Sequence, residues 1–291
     1  MDKKIAIVGL GGVGGFLCAS FVKAGLDVVG FARGEHLKVL KENPLVVEED
    51  TQSWSVTCKV KSLDEADEKF DVVLFCVKSY DLESSYKKIQ KNLHKDSIII
   101  SFSNGVNNGD VLRKLSTCKV VDGCIYILSH IKQAGVIQKK GVVFNAVFGE
   151  NETLKEIFEK SNLRYKMQTD IQTALWKKFI FISAFATLTS YYNKPIGYIY
   201  EHHQDEVKTI LQTIADVASK KGINIQNEVE KSLHVASKVP YDSSTSMHKD
   251  FQNSKKTELE TLCGYVVNEA KSYNIDVSLM EKIYLTLRNN S

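Results

Sequence analysis

The sequence has little that would cross-link the chain or anchor it in a membrane. Its six cysteines are scattered and include no C-x-x-C pair, and only three prolines occur, at positions 44, 195 and 240. Cysteines without paired spacing argue against a disulfide framework or a zinc site, so we expect reduced thiols and no metal. No uncharged apolar run reaches the roughly 18 residues of a spanning helix. The first apolar run, at 5–8, is too short for the h-region of a signal peptide, and no small-residue cleavage site follows it in the usual place. These absences predict a cytoplasmic protein.

An excess of charge of one sign is also lacking. The 291 residues carry 38 basic and 35 acidic side chains, a formal net charge of +3. This balance does not favour binding to nucleic acid or to an anionic membrane surface. The apolar share of 43% and the charged share of 25% are ordinary for a globular protein. The length suits two domains or one large one with an ample core.

The two halves of the chain carry different periodicities. Up to about residue 150, helical segments alternate with continuous apolar runs at 5–8, 28–31, 72–77 and 97–101, as in a parallel sheet buried on both faces. Beyond about residue 166, apolar residues recur at helical spacing, for example from 207 to 218. We therefore predict an α/β fold. A Rossmann-type doubly wound parallel sheet takes up residues 1–167, and an all-helical domain takes up residues 168–291.

A glycine-rich turn follows the first apolar run. Gly9, Gly11 and Gly14 fit G-x-G-x-x-G between a strand and a helix, the context in which that pattern binds a dinucleotide. Gly9 would permit the tight turn, Gly11 the approach of the pyrophosphate, and Gly14 close packing of helix on strand. A turn without a ligand is the alternative. The predicted cofactor loop comprises Gly9, Leu10, Gly11, Gly12, Val13 and Gly14.

The end of the second strand indicates which dinucleotide binds. An NAD site usually has an acid there for the ribose, but this strand runs into Ala32 and Arg33. Arg33, together with Lys78 after the strand at 72–77, would suit a 2′-phosphate, which favours NADPH. A solvated surface charge is the alternative for each. Asn104, next to Gly105, follows the strand at 97–101, where open α/β sheets bind ligands, although Asn-Gly is also a common turn.

A lysine pair lies in the apolar stretch at 174–190. At 3.6 residues per turn, Lys178 shares a face with Leu175 and Ile182, whereas Lys177 lies about a quarter turn away, nearer Asp170. Burial and a nearby helix N-terminus both disfavour a charged ammonium, which would help Lys178 to donate a proton near neutral pH. A lysine whose head group reaches out to solvent is the alternative.

A second charge falls on an apolar face. If residues 246–272 form a helix, Glu258 lies within the stripe of Met247 and Leu262. Buried carboxylates are rare unless they are paired. Glu258 and Lys178 would either pair structurally or both face a cleft at the nicotinamide, and the cleft is the favoured interpretation.

Several ordered motifs resemble the ketopantoate reductase (2-dehydropantoate 2-reductase) family over essentially the whole chain. They are "GLGGVGG" at 9–15, "ARGEHL" at 32–37, "CVKSYD" at 76–81, "NGV" at 104–106, "LWKKF" at 175–179, "KPIGYI" at 194–199 and "SMHKDFQNSKKTE" at 246–258. The resemblance implies NADPH-dependent reduction of ketopantoate to pantoate, a step of pantothenate biosynthesis. It also implies an NADP-binding Rossmann domain, a helical domain, and an active site between them.

The resemblance assigns roles to residues already singled out. Lys178 takes the place of the catalytic lysine, Glu258 that of the site's glutamate, Ser246 that of the substrate-side serine, and Asn104 that of the asparagine after the strand. In the reaction that this suggests, Glu258 would hold the substrate hydroxyl or orient the lysine or the cofactor ribose, and Ser246 and Asn104 would position substrate and cofactor by hydrogen bonds. Arg33 and Lys78 match the phosphate-binding positions.

The chain departs from the family where asparagines contact the substrate. Ile182 and Ala186 stand four and eight residues after Lys178, and Ser243 stands three residues before Ser246. These changes keep the hydride chemistry but leave the substrate open. A reductase of a different, more apolar 2-oxo acid and a non-catalytic NADP-binding module are the alternatives. The apolar helical stripes allow a homodimer.

Overall fold

The computed structural model describes residues 3–290. Its contacts divide the chain into two compact units. The first unit contains the residues up to 103 together with 107–171, and the second contains 104–106 together with the residues from 172 onward. The predicted boundary at 167/168 thus lies slightly before the division at 171/172, and a short loop of the sheet region groups with the helices.

Ten strands form one sheet in the first unit. They are β1 Lys4–Val8, β2 Asp27–Phe31, β3 Leu45–Glu48, β4 Ser53–Val56, β5 Lys59–Lys61, β6 Phe70–Phe75, β7 Leu93–Ser101, β8 Lys119–Gln133, β9 Val136–Gly149 and β10 Tyr165–Gln168. The helices of this unit are α1 Gly12–Lys23, α2 Gly34–Glu42, α3 Leu82–Ile89, α4 Asn108–Leu115 and α5 Glu152–Lys160.

Six strands confirm the predicted parallel sheet. They lie in the order β5-β2-β1-β6-β7-β8, and each neighbouring pair is parallel. This is the strand order of dinucleotide-binding sheets, in which the first strand lies at the centre. The carboxyl ends of β1, β2 and β6 therefore lie side by side.

The remaining strands were not predicted as a group. β8 continues as an antiparallel partner of β9, and β9 pairs in parallel with β3 and β10, while β4 closes the edge against β3. A purely doubly wound parallel sheet was therefore wrong for this part of the unit. Strands with one solvated face alternate polar and apolar residues, so they lack the continuous apolar runs that marked the central strands.

Apolar side chains cover both faces of the central sheet. In β1, Ile5 and Ile7 pack on one side in the cluster that contains α1 residues, whereas Ala6 and Val8 pack on the other side with residues of α3 and α4. Burying one such isoleucine contributes about 1.5–3 kcal/mol relative to leaving it exposed. This two-sided core holds the strand ends and the loops that follow them in fixed positions.

In the described part of the second unit beyond residue 171, all the regular elements are helices, joined by loops. They are α6 Ile171–Tyr192, which begins in the first unit, α7 Ile196–His202, α8 Gln204–Lys220, α9 Glu228–Ala236, α10 Ser246–Gln252, α11 Tyr265–Ser272 and α12 Ser278–Asn289. A π-helical turn, Glu260–Gly264, runs directly into α11. No helix within residues 3–290 is long and apolar enough to cross a membrane.

The prediction of one helix over residues 246–272 was wrong. α10 ends at Gln252, and the chain then runs without helix until just before the π-helical turn. Ser254 has φ +49°, a left-handed conformation that breaks helical periodicity. Glu258 lies in this break, so its position could not be read from a single helical wheel.

Candidate active site

The glycine loop is shaped by contacts that only glycine permits. Gly9 has φ +94°, a conformation that glycine adopts without strain. A Cβ on Gly14 would lie 2.0 Å from the carbonyl oxygen of Gly9 and 2.9 Å from Cβ of Cys76. The amides of Gly9 and Leu10 both donate to the carbonyl of Phe31, at 2.9 and 3.2 Å. The loop is therefore locked between α1 and the ends of β1 and β2.

The outer side of the loop is open at Gly11. A Cβ there would meet nothing within 4 Å, whereas one on Gly12 would lie 2.4 Å from the carbonyl oxygen of Ser129. Gly11 is the N-cap of α1, whose first-turn amides have no intrahelical partner. Leu10 is buried and Val13 half-buried against the core, so both anchor the loop. Open space at a helix N-terminus fits a pyrophosphate.

The basic residues predicted for the 2′-phosphate lie beside the loop-bearing strands. Arg33 follows β2 and is the backbone N-cap of α2, and its side chain is 82% exposed. Its Nη2 donates to Oδ2 of Asp81 at 2.9 Å. Lys78 is half-buried and precedes the short 3-10 turn that ends at Asp81. A role for Asp81 was not predicted from the sequence, because this acid follows β6 rather than β2.

Three side chains of the second unit form a hydrogen-bonded chain. Nζ of Lys178, in α6, donates to Oδ1 of Asn104 at 3.2 Å. Nδ2 of Asn104 donates to Oε2 of Glu258 at 3.3 Å. The bonds join residues 74 and 154 positions apart in the sequence. The arrangement places an ammonium, an amide and a carboxylate in a row.

Burial distinguishes the members of this chain. Glu258 is 2% exposed, so its carboxylate depends on the polar groups around it. Lys178 is half-buried and Lys177 is exposed, so the two adjacent lysines lie in different surroundings. The predicted effect of a helix N-terminus on Lys178 was wrong. α6 begins at Ile171, and the helix dipole acts only within the first turn.

The break before the π-helical turn is tied to α6. The backbone carbonyl of Glu258 accepts hydrogen bonds from the amides of Thr261 and Leu262, at 3.1 and 2.9 Å. The buried Ser183 hydroxyl donates to the carbonyl of Leu262 at 2.5 Å. π-helical turns occur often at functional sites. These bonds hold the backbone of Glu258 against the helix that carries Lys178. No sequence motif predicted them.

The segment before α10 is held by a histidine. Ser246, the predicted substrate-side serine, is exposed in the first turn of α10. His248 is 3% exposed. Its Nδ1 lies 2.8 Å from the hydroxyl of Ser244, and its Nε2 lies 2.8 Å from Oδ1 of Asn193. Burial lowers the pKa of His248 and the nearby Lys249 lowers it further, which favours the neutral ring. A neutral ring makes both contacts by accepting from the Ser244 hydroxyl and donating to Asn193.

Apolar residues continue the face of α6 that carries Lys178. Ile182 is half-buried and Ala186 is 2% exposed. Ser243, the third departure from the expected asparagines, accepts the amide of Ile196 through its carbonyl at 2.8 Å. Among residues 3–290, no group of His, Cys, Asp and Glu side chains is placed to hold a metal ion, and the six cysteines are free.

Two family models match the chain. The model for ketopantoate reductase PanE/ApbA covers residues 5–153, and the model for the C-terminal part of the same family covers residues 135–291. The chain is 28% identical to the uncharacterized oxidoreductase YkpB of Bacillus subtilis, with 98% of each chain covered. It is 24% identical to a 2-dehydropantoate 2-reductase of Archaeoglobus fulgidus, with 95% and 94% covered.

Solved structures share the fold along the whole chain. A PanE/ApbA family ketopantoate reductase from Ralstonia eutropha is 25% identical, with a TM-score of 0.93 and 99% and 98% of the two chains covered. D-mandelate dehydrogenase, solved with NADH and anilino(oxo)acetate, is 18% identical, with a TM-score of 0.90 and the same coverage. A dimeric ketopantoate reductase from Staphylococcus aureus is 19% identical, with a TM-score of 0.83 and again the same coverage.

The ranges matched by the two family models include the residues described above. The glycine loop lies in the part matched by the first model, and Lys178 and Glu258 lie in the part matched by the second. Since the two models together span residues 5–291, this chain belongs to the PanE/ApbA ketopantoate reductase family of oxidoreductases.

Proposed function

We propose that this protein reduces a 2-oxo acid with NADPH, with 2-dehydropantoate (ketopantoate) as the first candidate substrate and pantoate as its product. The observation that carries the proposal is the chain from Lys178 through Asn104 to Glu258. It supplies a proton donor whose direction is set by two further polar groups. The names of several relatives support the same reaction.

The residues of the first unit fit the cofactor. Gly11 leaves room for a pyrophosphate at the N-terminus of α1, and Gly9 and Gly14 shape the loop around it. Arg33 and Lys78 would hold the 2′-phosphate, with the Arg33 guanidinium exchanging part of its pairing with Asp81 for the phosphate. When bound, NADPH supplies the hydride for the 2-oxo carbon. Arg33→Ala should therefore weaken NADPH binding about tenfold and leave NADH binding nearly unchanged.

The second unit supplies the proton and its direction. Negative charge develops on the oxo oxygen during reduction, and the ammonium of Lys178 would stabilise it and then donate the proton from Nζ. Glu258 accepts from the Asn104 amide nitrogen, so the amide oxygen turns toward Lys178. Asn104 thus orients the ammonium, and Glu258 orients Asn104 or meets a substrate hydroxyl. Ser246 would contact the substrate by a hydrogen bond.

A more apolar 2-oxo acid is the second candidate substrate. Ile182 and the buried Ala186 offer no hydrogen bond on the α6 face of Lys178. A site without hydrogen-bonding groups gains little from a substrate hydroxyl and accepts its apolar analogue well. D-mandelate dehydrogenase, the relative solved with anilino(oxo)acetate, has the same fold.

A panel of 2-oxo acids tests the proposal and separates the alternatives. NADPH oxidation would be followed with ketopantoate, with the analogue that lacks its hydroxyl, and with branched and aromatic 2-oxo acids. Turnover of ketopantoate above the others supports pantoate formation, and a higher kcat/KM for an apolar member assigns the second candidate. If NADPH binds but no member is reduced, the protein is a non-catalytic NADP-binding module and the proposal fails.

We also propose a homodimer in the cytoplasm. The dimeric ketopantoate reductase of Staphylococcus aureus has the same fold, and the composition favours neither nucleic acid nor a membrane as a partner. Light scattering at several protein concentrations would give the molar mass in solution. A mass of one chain, 32.7 kDa, at every concentration would contradict the dimer.

A further inference from the structure

His36 lies in the first turn of α2, two residues after Gly34 begins the helix. Its side chain is half-buried, and its Nδ1 accepts a hydrogen bond from the backbone amide of Gly135 at 3.0 Å. Gly135 lies in the turn between β8 and β9. Ninety-nine positions separate the two residues in sequence. The bond therefore ties α2 to a distant turn.

The other side of the imidazole faces the glycine loop. Nε2 is buried without a regular hydrogen bond, and the backbone carbonyl of Leu10 is the polar group that acts on the ring. Leu10 is 2% exposed, and its own amide donates to Phe31 at the end of β2. The ring of His36 thus lies between the cofactor loop and the β8–β9 turn.

The turn on the far side is closely fitted. Gly135 has φ +81°, and a Cβ at this position would lie 2.8 Å from Cγ1 of Val39 in α2. Its carbonyl accepts the amide of Val46 from β3 at 2.9 Å. A side chain at this position would be strained, and the bonds of Gly135 to Val46 and to His36 hold its amide toward the ring. We call the contact of His36 with Gly135 and Leu10 the histidine clasp.

The clasp requires a neutral ring, since a protonated Nδ1 cannot accept a hydrogen bond. Burial lowers the pKa of His36, and the Leu10 carbonyl opposes this in part. Most charged groups of the elements around the ring form ion pairs of their own, and Glu42 at the end of α2 is exposed. The pairs are Arg33–Asp81, Glu35–Lys38 and Lys41–Glu65 on the α2 side, and Glu48–Lys132 beside the turn.

We propose that His36 is a positioning residue for the phosphate end of the dinucleotide site, through the histidine clasp. The clasp joins the glycine loop, the first turn of α2 next to Arg33, and the β8–β9 turn, so all three hold one geometry when the ring is neutral. This inference rests on the proposed binding of NADPH. The clasp is complete above the ordinary histidine pKa of about 6.5 and is lost as the pH falls through the lowered value.

Three proteins would test the clasp in two ways. They are the wild type, His36→Leu, which has no acceptor, and His36→Asn, whose amide oxygen can accept from Gly135 without titrating. His234→Asn, on the exposed face of α9, is the matched control. Binding of NADPH and of NADH is measured by calorimetry at about pH 7.5 and at a series of lower pH values that passes through the lowered pKa of His36. Hydrogen exchange of the Gly135 amide is measured on the protein without cofactor.

Positioning predicts a distinct pattern across these proteins. At pH 7.5 His36→Leu should bind NADPH about tenfold more weakly than the wild type and exchange the Gly135 amide about tenfold faster. His36→Asn should restore most of both effects. It should lack the loss of affinity that the wild type shows as the pH falls through the lowered pKa of His36. A merely structural histidine would shift thermal stability without this pH dependence.

The two readouts separate failure of the clasp from failure of the proposed function. Equal Gly135 exchange in the wild type and His36→Leu would overturn the clasp, whatever the cofactor does. Protected exchange with equal NADPH affinity would overturn the positioning role alone. Absence of binding of either dinucleotide by the wild type would refute the cofactor assignment, and with it the role of His36, while the exchange data would still report on the clasp.

Discussion

The two units hold their candidate functional residues by different means. In the first unit, the conformation of the backbone determines the shape of the glycine loop. This shape depends on glycines at 9, 11 and 14, which lie within a few residues of one another in sequence. In the second unit, hydrogen bonds between side chains hold the candidate residues, and the chain from Lys178 to Asn104 to Glu258 joins residues far apart in sequence. A local motif can mark the first kind of site, whereas only the folded chain assembles the second.

The largest effect of a single substitution on binding and stability is expected at Gly14. Gly14→Ala should abolish measurable NADPH binding and destabilise the protein by about 3 kcal/mol, because the new Cβ would meet the Gly9 carbonyl at 2.0 Å. Gly11→Ala is the matched control, since its Cβ meets nothing within 4 Å. It should keep wild-type stability and still bind NADPH much more weakly. Thermal unfolding and calorimetry measure both effects, and equal stability of the two variants would contradict the account.

The side-chain site is tested first at the adjacent lysines. Lys178→Ala should lower kcat about 10²-fold or more, because it removes the proton donor, while NADPH affinity stays unchanged. Lys177→Ala should change kcat less than twofold, because Lys177 is exposed. Steady-state kinetics and cofactor titration separate these effects. Similar rates for both variants would remove Lys178 from the mechanism.

Asn104 should have a smaller effect than the lysine it orients. Asn104→Ala removes the amide between Lys178 and Glu258, so kcat should fall about tenfold. Asn107→Ala is a suitable control, because Asn107 is half-buried nearby and makes no side-chain capping bond in α4. The pH dependence of kcat should change only in the Asn104 variant. An unaltered pH profile would make Asn104 merely structural.

The smallest effect is expected at Glu68, which precedes β6 at the edge of the sheet opposite the glycine loop. Its carboxylate meets Lys4, Lys59 at 2.5 Å and Lys61 at 3.2 Å. Hydrogen bonds from Lys4 and then Lys59 lower the pKa of Glu68 to about 2. Because the folded pKa is lowered, the stabilisation is complete above the ordinary value and is lost as the pH falls toward 2.

Solvent screening limits the contribution of Glu68 to stability. Glu68→Gln should lower the free energy of unfolding by at most about 1 kcal/mol at neutral pH, and by less in acid or high salt. Urea unfolding at several pH values measures this difference. Glu83→Gln, in the exposed pair with Lys87 at 2.6 Å, is the control. A difference that persists below pH 2 would contradict the ion-pair explanation.

The sequence was informative where one local cause determines structure. The parallel strands and the glycine loop follow from buried apolar runs and from backbone constraints within a few residues. Lys178 was placed on the correct face of α6, but the dipole given as a reason was wrong, since the helix starts at Ile171. Glu258 is buried, although the single helix used to place it does not exist.

Other features depend on contacts that no local pattern records. The β8–β9 pairing, the grouping of Asn104 with the helices, and the Ser183–Leu262 bond each join distant parts of the chain. Asp81 beside Arg33 was missed for the same reason. Contacts between residues this far apart in sequence form only when the whole chain folds, so residue spacing alone does not predict them.

The central claim is that this chain transfers a hydride to a 2-oxo carbon and protonates the oxygen from Lys178. The most direct measurement uses NADPH with deuterium in both hydrogen positions of C4, together with the best acid of the panel, under single-turnover conditions. The account predicts one deuterium at C2 of a single enantiomer of the hydroxy acid, formed by the wild type and not by Lys178→Ala within the same time. Unlabelled product, or equal transfer by both proteins, would contradict it.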